Sequence, residues 1–323
     1  MDMRPSIARE NEPHIGINAD HQFTERSLKE FWSAFSYLSG QEYSMQRFKD
    51  YSPTRAMKSI ERFETAFPNL YDKMLAVLQS IYGEETIKEQ LANIKKSFEE
   101  NPKLNFLISD KELVAFEKEM NSRAQGNIPI EHLRTFLSVI YENNTLEEFS
   151  AGHYDIYQID NHPKSLGASL KMSLPKSWYG AEADGPHVVQ KWQPMNGGSN
   201  ELYMIIIDEL FSEFSGQPLK VFSYGGLEQE FLSNGKLYKK YMSRNAGMTM
   251  LSYEGRIDGK RIDKMPNVST QLVNYHAFVV GDKLVQLHCK KMFKSLEESV
   301  ATADYDKLRK TCSLLAESVS FTE

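Results

Sequence analysis

The apolar residues of this chain change their spacing near residue 150. Before that point they recur every three or four residues, the period of a helix with one wet face. After it they alternate, beginning with Ser169-Leu170-Lys171-Met172-Ser173-Leu174, the period of a strand. One layer of structure cannot serve both periods. The sequence is therefore read as a loose arm over 1–22, a helical bundle over 23–150 and an α+β module over 151–323. A length of 323 residues agrees with more than one core, since single cores stop growing at about 250–300 residues.

In the helical part the stripes are explicit. Leu28, Phe31, Trp32, Phe35 and Leu38 follow the capping box Ser27-x-x-Glu30 and close at Gly40. A second segment, Glu42 to Tyr51, stops before Pro53. Further stripes are Met57, Ile60, Phe63, Phe67; then Leu70, Met74, Val77, Ile81; then Ile87, Leu91, Ile94, Phe98; then Leu113, Phe116, Met120; then Leu133, Phe136, Leu137, Ile140. Pro68-Asn69, Gly83 and Pro102 separate them. A short turn over Leu146 to Phe149 ends the bundle.

The second part opens with Tyr154 to Ile159. Strands are expected at about 168–174, 187–193, 201–208, 247–255, 268–280 and 283–292. Gly281-Asp282 reads as a hairpin turn that pairs the last two antiparallel. A helix fits around Tyr224 to Leu232, ending at Asn234-Gly235. A long amphipathic helix over about 302–317 leads to a final strand, Ser318 to Phe321. The fold class expected is α+β: a helical bundle followed by a twisted antiparallel sheet with flanking helices.

Charge narrows the partners. Residues 1–150 carry 18 Lys and Arg against 24 Asp and Glu, and the rest carry 20 against 20. An acidic first half lacks the clustered cations that nucleic-acid binding needs, so no nucleic acid is expected. The apolar run Met204 to Ile207 is far short of the roughly 20 residues that cross a bilayer. The polar first twenty residues do not look like a signal peptide. The expected location is the cytoplasm, with a periplasmic or secreted protein whose signal has been removed as the alternative. Cys289 alternates with Val285 and Leu287, and Cys312 lies on the stripe Tyr305, Leu308, Leu315. Both are expected as buried free thiols, held apart by a reducing cytosol.

No chemical motif converges. The histidines at 14, 21, 132, 153, 162, 187, 276 and 288 include no HExxH-like pair. His153, Asp155, Asp160 and His162 are read as loop and strand-end residues rather than metal ligands. His288 precedes Cys289, but strand neighbours point to opposite faces. Gly197-Gly198-Ser199 and Gly225-Gly226 are read as turns. No catalytic, cofactor or metal residues are assigned. One region stands out: Trp178, Tyr179, His187 and Trp192 surround the loop Gly180 to Pro186, and aromatic residues beside a Gly-containing turn suit a partner contact.

Three features of the second part resemble the Mog1/PsbP-like superfamily. An early strand runs into Leu174-Pro175-Lys176-Ser177-Trp178. A late hairpin covers 268–292. A terminal helix leads into Ala316-Glu317-Ser318-Val319-Ser320-Phe321. The resemblance covers about residues 154–323. It implies a binding or assembly scaffold without catalytic residues, and no cofactor. The function expected is non-catalytic protein–protein interaction, in a bacterial setting an immunity or secretion-associated factor, with another protein as partner and the oligomeric state open. The alternative is a hydrolase or metal-dependent enzyme with a site dispersed across the domain junction.

Overall fold

The computed structural model describes residues 14–18, 21–142, 144–181, 183, 185–194, 201–258, 270–293 and 298–322. The chain divides near residue 144 into two compact units.

The first unit does not begin as a loose arm throughout. β1 (His14–Asn18) pairs antiparallel with β2 (His21–Thr24); residues 1–13 of the expected arm lie outside the described residues. Six helices follow: α1 (Glu25–Tyr51), α2 (Pro53–Ala66), α3 (Leu70–Tyr82), α4 (Glu84–Glu100), α5 (Asp110–Ala124) and α6 (Ile130–Ile140). Most of the stripes supply the buried set: Phe31, Phe35, Leu38, Ile60, Phe63, Met74, Ile87, Leu113, Phe116, Phe136 and Leu137 share one core, joined by Leu78 from outside the stripes, while Leu91, Ile94 and Phe98 of α4 are only half-buried. The breaks are chemical. Pro53 occupies the first turn of α2, where a missing N–H costs nothing. Asn69 takes a left-handed conformation ahead of α3. Gly83 lies between α3 and α4.

α1 departs from expectation in two ways. It begins at Glu25, ahead of Ser27, and it runs unbroken through Gly40. A helix tolerates one glycine at a cost of about 1 kcal/mol against alanine. Gly40 faces the Phe98 ring of α4, which a Cβ would meet at 3.5 Å, an ordinary van der Waals contact.

The second unit contains α7 (Thr145–Ser150), β3 (Tyr154–Ile159), β4 (Leu170–Pro175), β5 (Trp178–Ala181), β6 (Val188–Pro194), β7 (Glu201–Glu209), α8 (Pro218–Tyr224), α9 (Gln229–Asn234), β8 (Gly235–Asn245), β9 (Met248–Asp258), β10 (Thr270–Val280), β11 (Lys283–Phe293), α10 (Glu298–Glu317) and β12 (Ser320–Phe321). α7, read from periodicity as the end of the helical part, packs against β4 and α10. A seven-stranded antiparallel sheet has the order β5-β6-β7-β11-β10-β9-β8, and a three-stranded sheet has the order β12-β4-β3. The β10–β11 hairpin turns at Gly281-Asp282 with Gly281 at φ +60°, the backbone that glycine supplies without steric cost.

The large sheet is covered on both faces. Leu308, Cys312, Leu315 and Ala316 of α10 pack on Tyr203, Ile205, Leu272, Phe278, Val285 and Leu287. The other face carries Phe214, Val221, Phe231, Leu251, Tyr253, Val273 and Tyr275. On that face Gly255 makes room for Phe231: a Cβ there would come within 2.6 Å of its ring. Burial on both sides explains why β10 reads as a run of apolar residues rather than an alternation.

Cys289 of β11 and Cys312 of α10 are disulfide-bonded, with Cα atoms 6.0 Å apart. This corrects the expectation of free thiols. Both side chains do point into the core, as periodicity indicates. Inward direction cannot distinguish two neighbouring thiols from one bond, because it does not give the register of the helix on the sheet.

Candidate functional site

The four residues singled out by the sequence all belong to β5, β6 and their connection, but they divide by environment. Trp178 is 4% exposed and stacks on Tyr203 at 4.1 Å between ring centroids. Trp192 is equally buried and meets Tyr157 edge-on at 4.9 Å. Both indoles belong to the core beneath α10. Tyr179 points the other way along the strand, is half-buried, and donates its hydroxyl to Gln193 Oε1 at 3.1 Å. His187 is exposed, with 58% of its side chain accessible.

The loop between β5 and β6 is held from two sides. Lys164 donates its ammonium to the carbonyls of Ala183 (2.7 Å) and Gly185 (2.9 Å). At the far end His187 Nδ1 lies 3.1 Å from Asp208 Oδ1 of β7. From there a hydrogen-bonded line runs inward. Gln286 Nε2 donates to Asp208 Oδ2 at 2.8 Å, and His288 Nε2 lies 3.0 Å from Gln286 Oε1. Since that amide oxygen only accepts, the His288 proton sits on Nε2. His288 stacks on Tyr275 at 3.7 Å. Burial and the charge of Lys290 push its pKa well below the usual histidine value, so the ring is neutral. The sequence pointed to His187 but not to Asp208, Gln286 or His288, which lie on strands brought alongside only by sheet pairing.

A second polar group lies on the opposite face, under α10. Ser252 is directly across from His276, and Glu254 across from Asn274. All four are almost fully buried. Ser252 Oγ and His276 Nδ1 are 2.9 Å apart, and Tyr305 of α10 donates to Glu254 Oε2 at 2.7 Å. Among the described residues, His276 Nε2, Glu254 Oε1 and both amide atoms of Asn274 find no hydrogen-bond partner. Cys312 Sγ lies 3.4 Å from the Asn274 carbonyl, a contact without a proton, since a disulfide sulfur carries none. Burial lowers the pKa of His276 to about 4. A serine beside a neutral imidazole is the local chemistry of an activated nucleophile, but here α10 and the sheet seal the pair from solvent. Among the described residues, no group of three or more His, Cys, Asp and Glu is arranged to hold a metal ion. No described helix is long and apolar enough to cross a membrane. Gly197-Gly198-Ser199 lies outside the described residues.

Glu148 of α7 anchors the turn that carries Trp178. Its carboxylate accepts Ser177 N at 2.8 Å and Ser177 Oγ at 2.6 Å. Burial outweighs these bonds and raises its pKa from 4.5 to about 7. A raised carboxyl pKa means that the folded state holds the proton more tightly. Its contribution is complete below pH 4.5 and is lost as pH rises towards 7. His276, with its lowered pKa, acts in the opposite sense between about pH 4 and 6.5, so the comparison is with Glu148→Gln rather than with the bare trend. The expected result is that the stability difference between wild type and Glu148→Gln moves against wild type by about 2–3 kcal/mol from pH 4.5 to 7.5. Urea midpoints across that range measure it. A difference independent of pH would show that Glu148 does not titrate there.

The second unit is an antiparallel sheet with a terminal helix on one face and short helices on the other. Among solved structures, the chain is similar to cyanobacterial PsbP (CyanoP) from Synechocystis, at 13% identity over 52% of this chain and 92% of that one, with a TM-score of 0.34. It is similar to LpqN of Mycobacterium tuberculosis, a protein involved in cell envelope biogenesis, at 13% identity over 56% of this chain and 99% of that one, TM-score 0.36. It is also similar to the Ran-binding protein Mog1p of Saccharomyces cerevisiae, at 7% identity over 52% and 95%, TM-score 0.36. Likeness at this level brings neither a role nor a site residue with it. No protein-family model matches the chain, and no curated protein matches it in sequence.

Proposed function

We propose that this chain is a non-catalytic protein-binding or accessory factor whose partner contacts the β5–β6 region through Tyr179 and His187. The observation that carries the reading is the way His187 is presented. An exposed ring is fixed by Asp208, and through Gln286 and His288 by the interior of the sheet. A side chain ordered in advance loses little conformational freedom on binding. Trp178 and Trp192, placed in the core, support this surface from beneath rather than touching a partner. The Cys289–Cys312 disulfide favours the extracytoplasmic alternative, because such bonds persist in oxidising compartments and are rare in the cytosol. A bacterial immunity or secretion-associated role is one form this reading takes.

The test is capture from native lysate and from periplasmic or culture fractions with wild-type protein and the double variant Tyr179→Ala/His187→Ala. The partner enriched by wild type is expected to fall at least about thirtyfold in affinity, the scale of a hot-spot truncation, with the melting temperature little changed. Retention of the same partner at full affinity would overturn the assignment.

A further inference from the structure

β8 ends the seven-stranded sheet at the side opposite β5, and the two edges are built differently. β5 has four residues, while β8 has eleven. Between Gly235 and Asn245 the strand carries Lys236, Lys239, Lys240 and Arg244 and no acidic residue, in a chain whose net charge is −6. Lys240 is committed to Glu228, 3.0 Å away. No described ion pair engages Lys236, Lys239 or Arg244. Tyr238 and Met242 add apolar surface, at 41% and 39% exposure. The pairing with β9 shifts between Leu237 and Lys239 and is regular from there to Asn245. Among the described residues no strand lies on the outer side of β8.

Alternate backbone N–H and C=O groups of such a strand point away from the sheet and form a template for another strand. The side chains decide which strand. A second copy of β8 would set Lys and Arg against Lys and Arg, and like charges directly opposite are unfavourable. Lys239 faces the α10 side with Tyr241 and Ser243, and Arg244 faces the other side with Met242, by their registers against Glu254, Ser252, Met250, Thr249 and Leu251. Acidic residues on an incoming strand would therefore meet a cation on either face.

We propose that the β8 edge from Lys239 to Asn245 binds an extended acidic segment of a partner protein by strand addition. Main-chain bonds would give the affinity, and Lys239 and Arg244 the choice of partner. This surface is separate from the Tyr179–His187 region, and its test does not depend on that reading.

The probe is a short fluorescent peptide in which Glu alternates with Val, titrated into the full chain and followed by anisotropy. Saturable binding is expected, weakening as salt screens the charges. A Lys–Val peptide of the same length should not bind. Lys239→Glu/Arg244→Glu should weaken the Glu–Val peptide at least about tenfold, the effect of reversing charges at an interface. A Glu–Val peptide N-methylated at alternate backbone positions cannot complete the ladder and should lose binding to the unaltered protein, which keeps the test decisive if the double variant folds poorly. Equal binding of the methylated peptide would overturn strand addition. Equal binding of a single-stranded oligonucleotide would overturn an acidic protein as the occupant. Concentration-dependent dimers abolished by Lys239→Glu would assign the edge to a second copy instead. Absence of peptide binding would also end the proposal.

Discussion

Reduction of the Cys289–Cys312 disulfide is expected to destabilise the α+β unit by roughly 3 kcal/mol. The bond joins residues 23 apart, and cross-linking a loop of that length removes about that much free energy of chain disorder from the unfolded state. It fastens α10 to β11 in the centre of the sheet, where Leu308, Leu315 and Ala316 already pack. The helix should therefore stay docked after reduction, and the loss should appear as a lower urea midpoint rather than a missing element. Both sulfurs are fully buried, so a reductant reaches them only when α10 opens. Native protein is expected to resist mild reductant and to show no thiol to alkylating reagents until denatured. The paired measurement is urea unfolding with and without reductant, together with Cys289→Ser/Cys312→Ser. Two alkylatable thiols in protein denatured without reductant would mean that the bond does not form, and would return the cysteines to the free, buried state that periodicity alone suggested.

The cysteines illustrate where sequence reading stops. Periodicity reports which face a side chain takes, and it put Cys289 and Cys312 inward correctly. Pairing depends on how far α10 slides along the sheet, and nothing local encodes that. The helical stripes were legible because each helix of the first unit has one wet face, so that period and burial coincide. The β10–β11 hairpin was legible for a different reason: Gly281-Asp282 is a two-residue turn with its own chemistry. β8 was not legible. Lys236 to Asn245 is exposed or half-buried along its whole length, so no alternation marks it, and only its pairing with β9 through the turn at Ala246-Gly247 defines it as a strand. β5 was missed because four residues are too few to show a period. Of the candidate surface, the aromatic cluster could be read from composition. The Asp208–Gln286–His288 support behind His187 could not, since it is assembled from β7 and β11 by sheet register.

Trp178→Ala and Tyr179→Ala, adjacent in sequence, are expected to have opposite consequences. Strand geometry sends them to opposite sides of β5. Trp178 faces inward, stacked on Tyr203 in the cluster that holds Leu174, Ile205 and Leu315. Truncating a buried tryptophan removes its contacts and leaves a cavity, at a cost of about 3–5 kcal/mol. The cost should stand near the upper part of that range, because the residue before it, Ser177, is tied to buried Glu148. With the turn held in place the backbone cannot collapse into the void. Tyr179 is half-buried and makes a hydrogen bond to Gln193 on the neighbouring strand, so its loss should cost about 1 kcal/mol or less in folding. Thermal unfolding of the two variants separates the cases directly, and Trp178→Phe, which keeps a ring against Tyr203, should recover a large part of the loss. A small effect of Trp178→Ala would contradict the buried stack. A large effect of Tyr179→Ala would make that residue a structural member of the hairpin and leave His187 to carry the proposed contact alone.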